Sequence, residues 1–292
     1  MSQQLNHQEL FEALEKGGIK ITPEYKANIE RKVNNILNYE PKVGVFGKTG
    51  AGKSSLCNAV FGQDVCRISD VKACTREPQE VFLSIGNKGL KLLDVPGVGE
   101  SGERDKEYAE LYKKLLPELD LILWVIKGDD RAFSSNEEFY KKLVRPYIKD
   151  SEKPFFIVIN QVDKIEPFRE WDEKNKRPGS KQAHNIEEKR RNVSGFFELP
   201  LAQVLAVSAN ERYGLIELVD SMVHTLPKDK KAVVLKEVAE ENRSETSKKE
   251  AENGFVDVLI EIVVAPLPPV AREAAKVAIK WIGKTIKRLW PW

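Results

Sequence analysis

The residues best suited to chemistry are Gly47-Lys48-Thr49-Gly50-Ala51-Gly52-Lys53-Ser54, a complete G-x-x-x-x-G-K-S loop. Backbone N–H groups in such a loop can surround phosphate oxygens. Lys53 can neutralise their charge, and the Ser54 hydroxyl can take a place on Mg²⁺. Ser55, next along the chain, belongs with these phosphate-binding residues. A turn closing a buried strand is the plainer reading of a Gly-rich stretch. Here the apolar run Val43-Gly44-Val45-Phe46 precedes the loop, and the pattern predicts a helix over 54–61 after it. That strand–loop–helix setting favours a nucleotide site.

Further along, Asp94-Val95-Pro96-Gly97 closes a second apolar run. A carboxylate at a strand end can hold Mg²⁺ through water, and the Gly97 amide can sense a terminal phosphate. Between the two lies Thr75, whose hydroxyl can complete the metal shell; a solvated loop threonine is the alternative. Asn160-Gln161-Val162-Asp163 follows the run Phe155-Phe156-Ile157-Val158-Ile159. The Asp163 carboxylate can accept hydrogen bonds from the N1–H and exocyclic amine of guanine, which adenine does not offer. Asn160 can steady this loop and contact the base edge. Ser208-Ala209 follows one more strand pattern, where the Ala209 N–H can address guanine O6; alone, that dipeptide says little.

These residues need a scaffold that brings strand ends together. Short apolar runs at 43–46, 80–85, 90–94, 119–126, 155–160 and 203–207 alternate with helical patterns at 54–61, 104–116, 135–145 and 213–224. The alternation predicts an α/β phosphate-loop fold, a mostly parallel sheet with helices on both faces and the site at the carboxyl ends of the strands. Gly86–Gly89 can turn the chain into an antiparallel edge. Residues 1–40 read as an N-terminal helical extension broken near Gly17-Gly18 and Pro23, either a cover on the nucleotide domain or an interaction helix pair. The nucleotide domain is expected over 41–226. Its insertion at 164–198 is a partner surface or a solvated structural element.

Residues 227–292 read as a charged linker followed by a C-terminal amphipathic region. The apolar stretch 255–265 carries Asp257 and Glu261 and is too short to span a membrane. From Val270 onward there are six Lys/Arg residues and one Glu, set among Val277, Trp281 and other bulky apolar groups. That pattern suits docking on the nucleotide domain or another protein, or peripheral membrane contact through 270–292. The chain of 292 residues is 41% hydrophobic and 32% charged, which excludes global disorder. Its 47 basic and 45 acidic side chains leave a formal charge of +2, which argues against nucleic-acid steering by the whole surface. Cys57, Cys66 and Cys74 lack metal-binding spacing, and the polar start MSQQLNHQEL lacks the apolar stretch of a secretory leader. A reducing, cytoplasmic setting is therefore expected.

In order and spacing these motifs resemble the small GTPases of the translation-factor-related class, especially its Era/TrmE-like branch. The stretches SDVKACTREPQ, DVPGVGESGERD, LPELDLILWVIKGDDRA and NQVDKIEP are similar to the bacterial YfjP/YeeP group of predicted GTPases. The resemblance covers about residues 36–226. It implies GTP/GDP and Mg²⁺ as ligands, with Lys53, Thr75 and Gly97 serving catalysis and Ser54, Thr75 and Asp94 serving the metal. Three positions depart from the family pattern. Gln161 replaces the usual base-loop lysine, Gly50 stands where potassium-stimulated relatives have Asn, and Val98 stands where Ras-like enzymes have a catalytic Gln. Valine cannot orient water, so slow hydrolysis is expected. Arg76, Arg104, Glu100 and Glu103 are conceivable helpers, each more in keeping with a surface role. The expected activity is a slow GTPase switch. The alternative is a nucleotide-dependent recruitment module with negligible turnover, acting at a membrane or a protein or ribosomal assembly. An unidentified protein effector and a nucleotide-dependent dimer are expected partners. RNA or ribosome contact is expected less, because no RNA-binding module is recognisable.

Overall fold

The computed structural model describes residues 7–48, 50–62, 82–85, 90–94, 113–130, 140–151 and 153–285. In chain order its main elements are α1 (His7–Lys16), α2 (Pro23–Leu37), β1 (Lys42–Phe46), α3 (Lys53–Phe61), β2 (Phe82–Ile85), β3 (Leu90–Asp94), β4 (Leu121–Lys127), α4 (Arg145–Ser151), β5 (Phe155–Asn160), α5 (Ser180–Phe197), β6 (Val204–Ala206), α6 (Leu215–Thr225), α7 (Lys228–Glu237), α8 (Glu245–Val264) and α9 (Pro269–Thr285). The chain divides into two compact units. One is α/β and comprises 40–226 with 237–243, while the other is helical and draws on both ends of the chain.

The sheet of the α/β unit runs β2-β3-β1-β4-β5-β6. Every neighbouring pair is parallel except β2, which lies antiparallel to β3 at one edge. β4 and β5 are the most continuously apolar strands, and all of β5 and all of β4 up to Ile126 is buried. That is how strands covered on both faces are composed. The fold is thus the expected one, with each strand within two residues of its predicted bounds. The helix predicted over 135–145 enters the described residues at Tyr140 as a π-helical turn, Tyr140–Val144, that runs into α4.

An aromatic cluster anchors the sheet. Phe46 stacks on Trp124 at 6.2 Å, and Tyr140 meets Phe197 edge-on at 5.3 Å and Phe155 at 5.4 Å. Burial pushes the Tyr140 phenol up to about 12. Helix α5 contributes to this core through a single stripe, with Gln182, Ile186, Val193 and Phe197 buried. Phe197→Ala should cost about 3–5 kcal/mol in chemical denaturation, the usual range for a buried aromatic. The loop at 237–243 joins the unit through Asn242, whose Nδ2 donates to the Ala59 and Val60 carbonyls at 2.7 and 3.1 Å.

In the helical unit, α2 starts at the N-cap Thr22, whose hydroxyl accepts from the Tyr25 N–H, with Pro23 in the first turn. Ile29 and Val33 lie one turn apart and are fully buried. The Tyr25 hydroxyl donates to the Val263 carbonyl of α8. Residues 227–253, expected as a charged connector or helical linker, hold α7 and the start of α8. Ala232, Val233, Val234 and Leu235 are buried there, so the segment is not exposed along its whole length. Among the described residues no helix is long and apolar enough to cross a membrane.

Candidate nucleotide site

Parallel strands all point their carboxyl ends at one edge, and that edge collects the motif residues. β1 ends at Phe46 and opens into the Gly-rich loop; β3, paired in register with it, ends at Asp94. β5 ends at Asn160, and β6 leads to Ser208-Ala209. Thr49, Thr75, Gly97 and Val98 lie outside the described residues, as do Arg76, Arg104, Glu100 and Glu103.

Two glycines of the loop have no substitute. Gly47 has φ +144°, and a Cβ there would sit 2.2 Å from the Val125 carbonyl oxygen of β4. Gly52 has φ +83°, and its Cβ would meet Asn160 Nδ2 at 2.5 Å. Lys53 opens α3, and its Nζ turns back to the loop, donating to the Gly47 carbonyl at 3.0 Å and approaching that of Lys48 at 3.5 Å. The N-cap of α3 is Gly52, so no side chain caps its first-turn amides. A loop of inward-facing backbone beside such amides suits an anion. Ser54 and Ser55 fall in that first turn.

Asn160 knits the site together. It is 1% exposed, and its Nδ2 donates to the Ala51 and Gly52 carbonyls at 3.0 and 3.3 Å. Its Oδ1 accepts from the Gln161 N–H at 2.9 Å and the Ala209 N–H at 3.1 Å. One amide therefore holds the phosphate loop, the Asn160–Asp163 loop and the Ser208-Ala209 loop. Both Asn160 groups bond to protein, which is the loop-steadying role expected of this residue. The Ala209 N–H, expected to face guanine O6, is likewise engaged by Asn160.

Gln161 has φ 63°, and its Nε2 donates to the Gly50 carbonyl at 3.0 Å. Its Oε1 accepts from Lys164 Nζ at 2.9 Å. The positive charge missing at position 161 is thus returned from three residues on, a substitution that sequence spacing did not reveal. Asp163 Oδ1 is buried and has no hydrogen-bond partner among the described residues. A buried anionic acceptor left bare carries a desolvation cost that a ligand's N–H groups would remove. It borders a cavity of about 600 Å³ lined also by Lys164, Phe168, Trp171, Glu173, Lys176 and Glu211.

The insertion after Asp163 braces this region. Gln182, fully buried at the start of α5, donates through Nε2 to the Asp163 and Ile165 carbonyls at 3.0 and 2.8 Å. Glu170 accepts from the Lys181 and Gln182 N–H groups at 3.0 and 3.3 Å. Trp171 meets Tyr213 edge-on at 5.5 Å, and Lys176 pairs with Glu211. Burial raises the Tyr213 phenol, and the hydrogen bond to Glu211 raises the Lys176 ammonium. Tyr213 and Ser208 exchange backbone bonds at 3.0 Å, which ties this brace to the Ser208-Ala209 loop. Sequence reading missed Gln182; Trp171 and the apolar Ile186, Val193 and Phe197 were the available signals that the segment packs.

The sequence model of a family described as "50S ribosome-binding GTPase" matches residues 42–161. The chain is 38% identical over 262 residues to the uncharacterized protein YkfA of Escherichia coli (strain K12), covering 88% of each. It is 38% identical over 245 residues to the uncharacterized protein YfjP of the same strain, covering 82% of this chain and 83% of that one. Among solved structures, an Aquifex aeolicus Era variant bound to GDP.AlF4- aligns with a TM-score of 0.45 at 24% identity, over 67% of this chain and 65% of that chain.

Proposed function

The chain belongs to the family of phosphate-loop GTPases that includes YkfA and YfjP, and from that premise we propose a guanine-nucleotide switch that slowly hydrolyses GTP to GDP and phosphate. The observation that carries the guanine assignment is the buried, unpartnered Asp163 Oδ1. It suits the paired N–H donors of guanine and has nothing to accept from on the corresponding edge of adenine. The loop of 47–54 and the uncapped first turn of α3 suit the phosphates, with Lys53 exchanging its loop carbonyls for their oxygens.

The donor set also fits Mg²⁺. The Ser54 and Thr75 hydroxyls would hold it directly and Asp94 through water, and the ion would neutralise charge developing on the β- and γ-phosphates. The chain's own contribution to turnover is electrostatic: loop amides and Lys53 stabilise charge on the transferring phosphoryl group. Water adds to the γ-phosphorus as the bond to the β–γ bridging oxygen breaks. Val98 stands in place of a water-orienting Gln and cannot hydrogen-bond that water, so turnover is slow.

The test is GTP and ATP binding together with phosphate release. The wild-type chain should bind GTP in preference to ATP. Asp163→Asn should weaken GTP by about a hundredfold through loss of charge-assisted hydrogen bonds. Unchanged GTP and ATP affinities in that variant would refute the base assignment. Phosphate release that disappears in Lys53→Ala supports the enzyme. Tight GTP binding with no release assigns the chain to nucleotide-dependent recruitment instead.

A further inference from the structure

Helix α9 has two apolar faces, and only one of them serves the fold. It packs against α1 and α8, with Ala275 and Ile279 fully buried. On the other side Val270, Val277 and Trp281 are 92%, 67% and 61% exposed, and Ala274 is exposed between them. At the angular step of an α-helix these four fall within an arc of about 60°, opposite the buried pair. Val270, Val277 and Trp281 are three of the six large exposed apolar side chains among the described residues, and the three most exposed.

The charge beside this stripe is one-sided. Residues 269–285 contain Arg272, Lys276, Lys280 and Lys284 against one acid, Glu273. Lys276 pairs with Glu273 at 2.6 Å, while Lys280 is exposed one turn further on. By helical register Lys280 lies about 60° from the apolar arc, on the same side as the Glu273–Lys276 pair.

We propose that α9 is a peripheral docking face for an anionic lipid surface. The stripe is narrow and convex and ends in a tryptophan, a form that enters a headgroup layer without needing a complementary groove. The basic excess of α9, with exposed Lys280 on one flank of the stripe, selects for negative charge. No described helix is long and apolar enough to cross a bilayer, so the proposed contact is interfacial. The face is independent of the nucleotide residues, and its failure would leave the guanine assignment untouched.

Vesicle flotation of the full chain tests this, using phosphatidylcholine vesicles with and without phosphatidylglycerol. The full chain should float with the anionic vesicles only, and added salt should weaken the association. Val277→Asp should reduce it by about tenfold, with GTP binding and far-UV circular dichroism unchanged. Val270→Asp is a second variant whose carboxylate falls in the first turn of α9, where it favours the helix. A loss of flotation in that variant cannot be assigned to unfolding. Absence of flotation with anionic vesicles, equal flotation with neutral ones, or full binding by both variants overturns the proposal. So does a change of Val277→Asp from dimer to monomer without vesicle binding, which would give the face to a second copy of the chain.

Discussion

Asn160 concentrates more of the site's geometry than any nucleotide-facing side chain, because its amide joins backbone of three loops. Asn160→Ala leaves the Ala51 carbonyl and the Gln161 and Ala209 N–H groups in want of partners, while the Gly52 carbonyl keeps the Leu56 N–H. At about 1 kcal/mol or more for each buried group left bare, a stability loss of roughly 3 kcal/mol is expected in urea denaturation. Gln182→Leu is a subtler test. It keeps the volume but strips the donors from the Asp163 and Ile165 carbonyls. GTP affinity should weaken by about tenfold, while pyrophosphate, which touches no base loop, should bind as before. At this scale the sequence was most legible where a motif has fixed spacing. It was silent on Gln182, whose partners are carbonyls with no sequence signature. It was silent too on Lys164, whose bond to the Gln161 side chain has no motif spacing behind it.

The elements were more transparent than the residues that link them. β4 and β5 announce themselves because strands buried on both faces must be apolar throughout. The break between α1 and α2 follows from Gly17-Gly18 and Pro23. The insertion was opaque for the opposite reason, since its charges alternate and its order comes from long-range contacts. One turn within it offers a pH test. The Asp172 carboxylate accepts from the Lys174 and Asn175 N–H groups and from Asn175 Nδ2. Chiefly that Asn175 side-chain bond holds its carboxyl below the ordinary 3.8. A lowered carboxyl pKa contributes order above its unfolded value and loses it as pH falls through the folded one. Protection of the Asn175 amide from hydrogen exchange should therefore persist at pH 5 and fade only below pH 3.8.

Over the whole molecule, chain ends distant in sequence share one helical unit. Amphipathic periodicity marks each helix as having a face to bury, but it carries no address for the partner. The α8 start is nonetheless locally secured, with Ser244 accepting from the Ser247 N–H at 3.0 Å. The largest consequence returns to Asn160. Since one side chain orders both the phosphate loop and the base loops, filling either half of the site spares the other half part of its ordering entropy. Guanosine and pyrophosphate, supplied as separate molecules, should therefore bind with positive thermodynamic linkage, each tightening the other by the same factor. Calorimetry of guanosine with and without saturating pyrophosphate measures that factor. In Asn160→Ala it should fall to one, leaving a site of two uncoupled halves.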